Sequence, residues 1–420
     1  MTSRRDVLAG LGAFSLTSAW LPRPAVARNR ASIAIIGGGF GGASAAMTLR
    51  TVLPDAKITL IEPNPTYTAC PFSNLVIAGL RSLDQQVFSY DGLRSQGIEV
   101  VATRATDVDP TQRVIETEAG TQISYDRLIL SPGVDLIWDA IEGYDQSATQ
   151  RMPHAWKAGS QTTLLRDQLR ATEDGGVVVM SVPAAPYRCP PGPYERASLI
   201  AHYLKTEKPR SKLIILDAKD SFSKQALFEE TWETLYPGMI DWRPGSFDGR
   251  VTRVDANAGT VFTDFETLTP AVSNIIPPQR AAEIAMRAGV TDSTGWCPIN
   301  AQTFASTLQP NIYVIGDATI AAPMPKSAFA ANAQGKICAL QIARDLAGLP
   351  PAPSVLSNTC YSHAAPEAAF SISGVYGTDG GIFSSRAGGT SDLGASADMR
   401  AREALEAVDW YSAVTKEAFG

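Results

Sequence analysis

The chain has 420 residues, 45% of them hydrophobic, and a formal net charge of −6, so it is long enough for two or three domains with sizeable cores. Its acidic and basic residues are interspersed, which excludes the basic patch of a nucleic-acid-binding protein. No apolar run reaches the ~20 residues that cross a bilayer, and three histidines without a Cys-x-x-Cys pair argue against a zinc site or attached haem. We therefore predict a soluble protein with no metal site, no nucleic-acid partner and no membrane insertion.

The first 27 residues have the pattern of an export signal. A twin-arginine pattern stands at Ser3–Leu8, a mildly apolar stretch follows to Leu21, and Ala25-Val26-Ala27 offers an A-x-A cleavage site. We exclude residues 1–27 from the fold. The twin-arginine route carries folded proteins, so we expect the mature protein in the periplasm, an oxidising compartment where disulfides persist.

A dinucleotide-binding motif opens the predicted fold. The apolar strand Ser32–Ile36 runs into GGGFGG at positions 37–42, and a helical stretch is predicted at Ala43–Leu53. Gly37 permits the tight turn, Gly39 lets the backbone approach a pyrophosphate, and Gly42 lets helix and strand pack closely. The helix N-terminus then offers free N–H groups to phosphates. The residues that we predict to bind the cofactor here are Gly37, Gly39, Phe40, Gly41 and Gly42.

Glu62 supports dinucleotide binding, and two later segments favour FAD as the dinucleotide. The strand Lys57–Ile61 ends in Glu62, twenty positions beyond Gly42, where a carboxylate accepts hydrogen bonds from an adenosine ribose. The strands before Ser131-Pro132-Gly133 and before Gly316-Asp317 resemble the further signatures of flavoproteins with two dinucleotide-binding domains. In those proteins the Gly-Asp carboxylate holds a ribitol hydroxyl of FAD; the alternative for Asp317 is a turn-forming role.

A helix predicted to begin near Pro325-Lys326-Ser327 follows the Gly-Asp turn. Its N-terminus, together with Lys326, can stabilise negative charge on a reduced flavin. We therefore count Ser131, Gly133, Gly316, Asp317 and Lys326 among the predicted cofactor-binding residues.

A second strand–helix–strand unit spans residues 151–280 and lacks a phosphate loop. The strand Val177–Val182 is followed by prolines at 183, 186, 190, 191 and 193, where an NAD site needs glycines. Each proline removes a backbone donor, and a pyrophosphate needs such donors. We predict that this unit is retained as a scaffold without NAD(P)H. A helix is predicted over Arg196–Lys205, after the loop that holds Cys189.

The five cysteines fall into three groups. Cys338 lies on an apolar helix, so we predict a core position for it. Cys297, in a turn, is left without a role. Cys70, Cys189 and Cys360 remain as candidates for chemistry.

At these cysteines the sequence resembles the flavoprotein subunit of flavocytochrome c sulfide dehydrogenase, a relative of sulfide:quinone oxidoreductases and of disulfide reductase flavoproteins. The resemblance covers essentially the whole mature chain, and the run Cys189–Ala197 (CPPGPYERA) is its most specific part. The other matching segments are Glu62-Pro63-Asn64 with Cys70 and Ser73-Asn74; Gly295–Pro298; Gly316-Asp317 through Pro323–Ser327; Thr359–Ser362; Trp410-Tyr411; and Phe419-Gly420. The sequence departs from the family at Ala69 and Pro71, where we expect polar and aromatic neighbours of the cysteine.

The resemblance implies an α/β fold with two Rossmann-like domains, as in flavoproteins with two dinucleotide-binding domains, and a C-terminal α+β interface domain. The implied FAD domain comprises residues 28–142 and 284–350. The second Rossmann-like domain comprises residues 143–283, and the C-terminal domain residues 351–420.

The resemblance also implies the chemistry of the site. Cys70 would form a thioether to the flavin 8α-methyl group; the alternative is a buried cysteine beside non-covalent FAD. Cys189 and Cys360 would form a redox-active disulfide beside the isoalloxazine ring, with a purely structural disulfide as the alternative. Glu195 would handle the substrate proton, or would instead cap a helix or interact with its dipole. Pro63 and Asn64 would belong to the cofactor site.

The resemblance favours oxidation of hydrogen sulfide, with electrons passed singly to a c-type cytochrome subunit. The chain has neither a haem motif nor an NAD loop, so the acceptor is another protein or a quinone. The predicted helix Ala401–Phe419 is interrupted by Glu403, Glu406 and Asp409, unlike the apolar, basic-flanked helices that dip into membranes. We therefore prefer a cytochrome. The alternatives are a sulfide:quinone oxidoreductase and a non-catalytic FAD-binding assembly subunit.

Overall fold

A parallel five-stranded sheet organises the first part of the protein, of which this computed structural model describes residues 31–420. The predicted twin-arginine signal at residues 1–27 lies outside the described residues. The apolar strands of this sheet are buried on both faces, as in α/β proteins. The elements of residues 31–142 are β1 Ser32–Ile36, α1 Phe40–Val52, β2 Lys57–Ile61, β3 Thr66–Thr68, α2 Ser73–Ile77, β4 Val87–Ser89, α3 Asp91–Ser95, β5 Glu99–Val101, β6 Ala105–Asp109, β7 Val114–Thr117, β8 Gln122–Ser124, β9 Arg127–Leu130 and β10 Val134–Leu136.

A second parallel sheet follows, and the chain then returns to the first one. The elements of this part are α4 Ser160–Ala171, β11 Val177–Val182, α5 Gly192–Glu207, β12 Lys212–Asp217, α6 Gln225–Leu235, β13 Ile240–Arg243, β14 Arg253–Asp255, β15 Thr260–Phe262, β16 Thr267–Leu268, β17 Val272–Ile275, β18 Gln279–Ala281, α7 Glu283–Arg287, β19 Ile312–Val314 and α8 Ala328–Leu346. The last part holds β20 Val355–Ala365, β21 Ala368–Gly377, β22 Ser384–Thr390 and α9 Ala397–Phe419.

The strand order shows how distant segments share one domain. The first sheet runs β19-β9-β1-β2-β5 and the second runs β13-β12-β11-β17. Because β19 pairs with β9, a strand near residue 313 completes a sheet that begins at residue 32. Short antiparallel sheets, β6-β7-β8 and β14-β15-β16, accompany the two parallel sheets, and β20-β21-β22 forms the C-terminal sheet. The predicted fold class, two Rossmann-like units with a C-terminal α+β part, is confirmed; its residue boundaries stay predictions.

Several helices begin at other residues than the sequence predicts. Helix α1 begins at Phe40, inside the glycine motif, and α5 spans Gly192–Glu207 because a proline in the first helical turn needs no N–H partner. Helix α8 begins at Ala328, after Ser327, whose hydroxyl accepts a hydrogen bond from Ala330 N. Helix α9 begins four residues earlier than predicted, where Ser396 caps Met399 N.

Candidate functional site

One cavity of about 560 Å³ collects most of the predicted site residues. The glycine turn before α1, the end of β2, the Gly316-Asp317 turn, the start of α5 and strand β20 all reach it. The predicted residues that line it are Gly37, Gly39, Phe40, Gly41, Glu62, Asn64, Cys70, Ser131, Gly133, Cys189, Glu195, Gly316, Asp317 and Cys360. Segments far apart in sequence therefore meet at one place.

The glycine turn has the geometry that a phosphate loop requires. Gly37 has a φ of 101°, in the region that favours glycine. A Cβ on Gly42 would clash with the Gly37 carbonyl oxygen, so Gly42 contributes by allowing close packing, not by lining the cavity. Helix α1 begins directly at this turn, and its first N–H groups face the cavity end of the sheet.

Glu62 is positioned by the turn it faces. Its Oε2 accepts a hydrogen bond from Gly38 N at 3.0 Å, and its Oε1 accepts from Asn64 N at 3.0 Å and Asn64 Nδ2 at 2.7 Å. Asn64 therefore orients the carboxylate, and Pro63 connects the two. This carboxylate at the end of β2 is in the position that holds an adenosine ribose.

Asp317 lies at the other side of the cavity with an unsatisfied oxygen. Its Oδ1 is buried and has no hydrogen-bond partner among residues 31–420. Burial raises the pKa of Asp317, whereas Arg188 and Lys326 act to lower it. A buried polar atom of this kind needs a partner, and a ribitol hydroxyl is a suitable one. With the glycine turn and Glu62 on the same cavity, the residues present fit FAD.

Lys326 corrects one prediction. The Lys326 Nζ donates to the carbonyl oxygens of Asp317 at 2.8 Å and Thr319 at 2.6 Å, and it lies 3.8 Å from the centre of the Trp296 ring. Among the described residues that line the cavity, Lys326 is absent. Its ammonium is committed to the backbone behind the Gly316-Asp317 turn, so it orders that turn and does not face a flavin. Burial lowers the pKa of Lys326 to about 8.

Cys189 and Cys360 both line the cavity. Among residues 31–420 no cysteine is bonded to another in this structure. Cys189 has a φ of 56°, and its N–H donates to the Lys326 carbonyl oxygen at 2.8 Å. The Cys360 Sγ accepts a hydrogen bond from Asn358 Nδ2 at 3.2 Å. Burial raises the pKa of both thiols, and each thiol is influenced by Lys224 and Glu195.

Glu195 lies in the first turn of α5 but is bound to other elements. Its Oε2 accepts from Asn74 Nδ2 at 2.7 Å, and its Oε1 accepts from His363 N at 2.9 Å. The His363 Nδ1 is 3.9 Å from the same Oε1, and burial lowers the pKa of His363. Because both oxygens bond to α2 and β20, this side chain does not cap α5, and its place in the first turn of α5 leaves the dipole alternative open. The carboxylate instead joins three elements at the cavity wall.

The remaining cysteines separate clearly. Cys70 lines the cavity, with its Sγ 3.9 Å from the Trp156 carbonyl oxygen. Cys338 is fully buried on α8, in the predicted core position. Cys297 is also fully buried, and burial raises its pKa to about 12. Only Cys70 is therefore placed to join Cys189 and Cys360 in the cavity, within the described residues.

In the second domain, other side chains bind the acidic residue at the end of the second strand. Asp217, at the end of β12, is fully buried. Its carboxylate accepts hydrogen bonds from Tyr194 Oη, Trp242 Nε1 and Lys219 Nζ. In an NAD-binding domain the acidic residue at this strand end faces a ribose. Here protein groups occupy its acceptors, which supports the prediction that this unit works as a scaffold.

Sequence reasoning missed two cationic residues at the site. Arg188 lines the cavity, and its charge stabilises Asp317, one of the acids there. Lys224 donates to the carbonyl oxygen of Cys360, a residue 136 positions later. Arg188 is next to Cys189 in sequence, which was its one available signal. Lys224 had none, because only the fold brings its loop to β20.

Three family profiles match the chain. Residues 31–166 match the pyridine nucleotide-disulphide oxidoreductase family. Residues 162–277 match the central region of the sulfide dehydrogenase [flavocytochrome c] flavoprotein chain, and residues 351–419 match the flavin-binding region of flavocytochrome c sulphide dehydrogenase.

Individual relatives agree with these families. The sulfide dehydrogenase [flavocytochrome c] flavoprotein chain of Chlorobaculum thiosulfatiphilum is 50% identical over 44 residues, 10% of this chain and 92% of that sequence. The mitochondrial sulfide:quinone oxidoreductase of Mus musculus is 24% identical over 333 residues, 74% of this chain and 70% of the relative. The crystal structure of the sulfide:quinone oxidoreductase from Aquifex aeolicus superimposes with a TM-score of 0.72 at 20% identity, covering 92% of each chain.

Fold, cavity and comparisons together define an FAD-dependent oxidoreductase of the class with two dinucleotide-binding domains. Within that class, the chain belongs to the family of flavocytochrome c sulfide dehydrogenase flavoprotein chains, which is related to sulfide:quinone oxidoreductases. The chemistry that this membership supports is the oxidation of sulfide. Between residues 31 and 420, no helix is long and apolar enough to cross a membrane, and no group of three His, Cys, Asp or Glu is arranged to hold a metal ion.

Proposed function

We propose that the chain oxidises hydrosulfide at a Cys189–Cys360 disulfide, with FAD attached to Cys70, and passes the electrons singly to a c-type cytochrome. One observation carries this proposal. The three cysteines and Glu195 line the same cavity as the residues that fit FAD. Neither a structural disulfide nor a scaffold protein needs that arrangement.

FAD would be held at both ends of the cavity. The glycine turn and α1 would bind its pyrophosphate, Glu62 its adenosine ribose and Asp317 its ribitol, with Cys70 as the covalent anchor. When bound, FAD supplies a two-electron acceptor that can return electrons one at a time. Arg188 adds a fixed positive charge beside Cys70 and Asp317, because its own burial in the site does not remove its charge.

The sulfur chemistry begins with attack of HS⁻ on one sulfur of the disulfide. A new S–S bond forms as the Cys189–Cys360 bond breaks, and the electron pair of the broken bond stays on the departing sulfur as a thiolate. The product is a persulfide on one cysteine and a thiolate on the other. The substrate sulfur is thereby oxidised and the disulfide reduced.

The hydrogen bonds indicate which sulfur departs. Cys360 Sγ receives the amide of Asn358, a donor that stabilises a thiolate, and hydrogen bonding from Asn358 and Ser327 acts to lower the pKa of Cys360. The negative charge of Glu195 acts against a thiolate at both sulfurs and does not separate them. We therefore assign the thiolate to Cys360 and the persulfide to Cys189.

We assign the substrate proton to Glu195. Its carboxylate is fixed by Asn74 and by the His363 N–H at the cavity wall, so its position does not depend on the flavin. A carboxylate held in this way can accept a proton from H₂S or from a persulfide within hydrogen-bond reach.

Mass spectrometry of the denatured protein, digested without reductant, tests cofactor and redox pair together. We expect a flavin mass on the Cys70 peptide and a linked pair of Cys189 and Cys360 peptides. A flavin-free Cys70 peptide would remove the covalent attachment. Unlinked Cys189 and Cys360 peptides in protein purified without reductant would remove the disulfide mechanism.

A sulfide:quinone oxidoreductase is the second candidate. The names of the Mus musculus and Aquifex aeolicus relatives favour it, and so does α9, on which Met399, Leu405 and Val408 are 45%, 66% and 45% exposed. Acidic residues share that helix, and we keep the cytochrome as the preferred acceptor. Sulfide-dependent reduction of a soluble c-type cytochrome without lipid is the expected result. Activity with a quinone alone would establish the second candidate.

The proposed location is the periplasm, reached by twin-arginine export. The predicted signal motivates this, and a disulfide-forming compartment suits the cysteine chemistry. N-terminal sequencing of protein from the native cells tests it. A mature chain that begins near residue 28 is expected, and a chain that retains Arg4 and Arg5 in the cytoplasm would contradict it.

A further inference from the structure

Lys224 is a buried lysine that connects the second domain to the strand of Cys360. It precedes α6 with a left-handed φ of 61° and is 7% exposed. Its Nζ donates to the Cys360 carbonyl oxygen at 2.8 Å, to Ser362 Oγ at 2.7 Å and to the Phe370 carbonyl oxygen at 3.4 Å. The three partners lie on β20 and β21, so the lysine holds the C-terminal sheet against the second domain.

The contacts of Lys224 leave its charge without a direct counter-charge. All three acceptors are neutral, and among the ion pairs of residues 31–420 none includes Lys224. The rings of Phe370 and Phe228, with centres 5.3 and 5.8 Å from Nζ, offer the weak attraction of a π face. Burying a cation in this way is unfavourable unless an anion lies near it for part of the time.

A thiolate formed at the cysteine pair would be such an anion. The positive charge of Lys224 acts to lower the pKa of both Cys360 and Cys189, against the effect of burial. Glu195 and Glu403 are the acids that also face Lys224, and His363 on β20 is affected by the same charge. Two of the four groups that act on the lysine are therefore the cysteines of the proposed redox pair.

We propose that Lys224 is a positioning residue that fixes the backbone of Cys360 and supplies the positive charge opposite the thiolate formed there when the disulfide opens. This rests on the proposed function for its role in turnover. The ionisation of Cys360 itself does not need sulfide or an acceptor. The lysine favours the reduced pair by stabilising the leaving thiolate, so it makes the disulfide easier to open.

The test measures the pKa of the Cys360 thiol in the dithiothreitol-reduced holoprotein. Brief reaction with iodoacetamide over a range of pH, with peptide mass spectrometry, gives the rate at Cys360. Lys224→Met keeps the length of the side chain and removes its charge, and we expect the thiol pKa to rise by about one unit, a roughly tenfold slower reaction near pH 7, where the parent's lysine is charged. Lys224→Arg keeps the charge, and its Cys360 is expected to react at the parent's rate at that pH.

A lysine with a similar backbone contact provides the control. Lys205 on α5 donates to the Leu235 carbonyl oxygen and is exposed to solvent, so Lys205→Met should leave the thiol pKa unchanged. If Lys224 were only structural, Lys224→Met would lower the melting temperature without moving that pKa. A Cys360 pKa equal to the parent's in Lys224→Met would overturn the proposal.

A second comparison decides the matter if Lys224→Met does not fold. At about pH 9.5, above the pKa of about 8 to which burial lowers Lys224, the parent has lost the charge that Lys224→Arg retains. Cys360 in the arginine variant should then react several-fold faster, and equal rates would sink the idea. If Lys224→Met raised the pKa of the Cys360 thiol but the parent protein did not oxidise sulfide, only the proposed function would be refuted.

Discussion

The two Rossmann-like domains share a parallel sheet but use the same two positions in opposite ways. In the first domain the strand β1 ends in a glycine turn open to the cavity, and Glu62 at the end of β2 faces that turn. In the second domain the strand β11 ends in a proline-rich loop with Cys189. Asp217 at the end of β12 is fully buried and bonded to Tyr194, Trp242 and Lys219.

The difference shows that the fold does not decide which ligand binds. A glycine turn leaves backbone N–H groups free for phosphate, and an acid without a protein cation can meet a ribose. In the second domain prolines remove those donors, and the acid is already bonded within a buried ion pair. In the second domain a cysteine stands where the first domain has its glycine turn, and this cysteine lies at the wall of the same cavity.

The largest effect is expected from the cysteine that replaces the second phosphate loop. Cys189→Ser and Cys360→Ser should each reduce sulfide-dependent flavin reduction by about 10³-fold or more, because the nucleophile's target bond no longer exists. Flavin content should stay at the parent level. Stopped-flow absorbance measures the rate.

Cys338→Ala is the control for the cysteine variants. It removes a buried thiol that lies on α8 away from the cavity, so the rate of flavin reduction should match the parent's. If Cys189→Ser and Cys360→Ser also left the rate of flavin reduction unchanged, the second domain would serve only as a scaffold.

The next effect tests the open turn of the first domain. Gly42→Ala places a methyl group against the Gly37 carbonyl oxygen, and we expect a loss of stability of roughly 3 kcal/mol together with loss of bound flavin. Denaturant unfolding and the flavin absorbance per chain measure the two quantities.

Gly389→Ala is the matched glycine change. It lies on the exposed strand β22 with open space around it, so both quantities should stay near the parent values. If the two alanine variants had the same stability and flavin content, the turn would have space for a methyl group at Gly42, contrary to the structure.

An opposed pair of effects is expected at the two strand-end acids. Asp217→Asn should cost about 3 kcal/mol, because Lys219 keeps a largely buried charge without its partner, and should leave flavin affinity unchanged. Glu62→Gln should lower FAD affinity roughly tenfold, since a hydrogen bond to a charged group is lost, with little effect on the apoprotein.

Equilibrium unfolding of the apoproteins and FAD titration in a Cys70→Ser background separate the two acids. The Cys70→Ser change makes flavin binding reversible in every variant. If Asp217→Asn weakened FAD binding as much as Glu62→Gln, the division of labour between the two domains would be wrong.

The smallest effect is a pH dependence of stability at Lys224, which joins the second domain to the C-terminal sheet. Burial lowers the pKa of Lys224 to about 8 from its ordinary value of 10.5, so between these values the unfolded chain binds more protons. Stability should therefore rise as pH increases through that window.

Lys224→Met should lack this rise, while Lys326, which has a similarly lowered pKa, contributes equally to parent and variant. The difference between the unfolding free energies of the parent and of Lys224→Met, measured at several pH values, isolates the contribution of Lys224. Parallel curves for the two proteins would mean that Lys224 does not titrate in this range.

Much of the site follows from local sequence. A strand, six residues rich in glycine, a helix and an acid at the end of the next strand predicted one binding site, because each part acts on its immediate neighbours in the chain. The prolines after Val182 predicted a missing phosphate site for the same local reason. The Gly316-Asp317 turn was recognised from its own strand.

Other parts followed from contacts between distant segments. The sequence placed Lys326 at the flavin because it stands at a helix start, but its ammonium found two carbonyl oxygens behind the turn. Glu195 stood where a helix cap can stand, yet its oxygens bond to Asn74 and His363. In both cases a buried charged group forms hydrogen bonds with donors or acceptors that only the tertiary fold brings near it.

The sequence by itself determined the two Rossmann-like units, the FAD signatures and the cysteines worth testing, since strand periodicity, glycine and proline act over a few residues. The tertiary structure alone decided that β19 completes the first sheet, that Asp217 is used up within the protein, and that Lys224 reaches the strand of Cys360. Those outcomes depend on which surfaces meet when the domains pack, and hydrogen bonding of buried charges is settled only there.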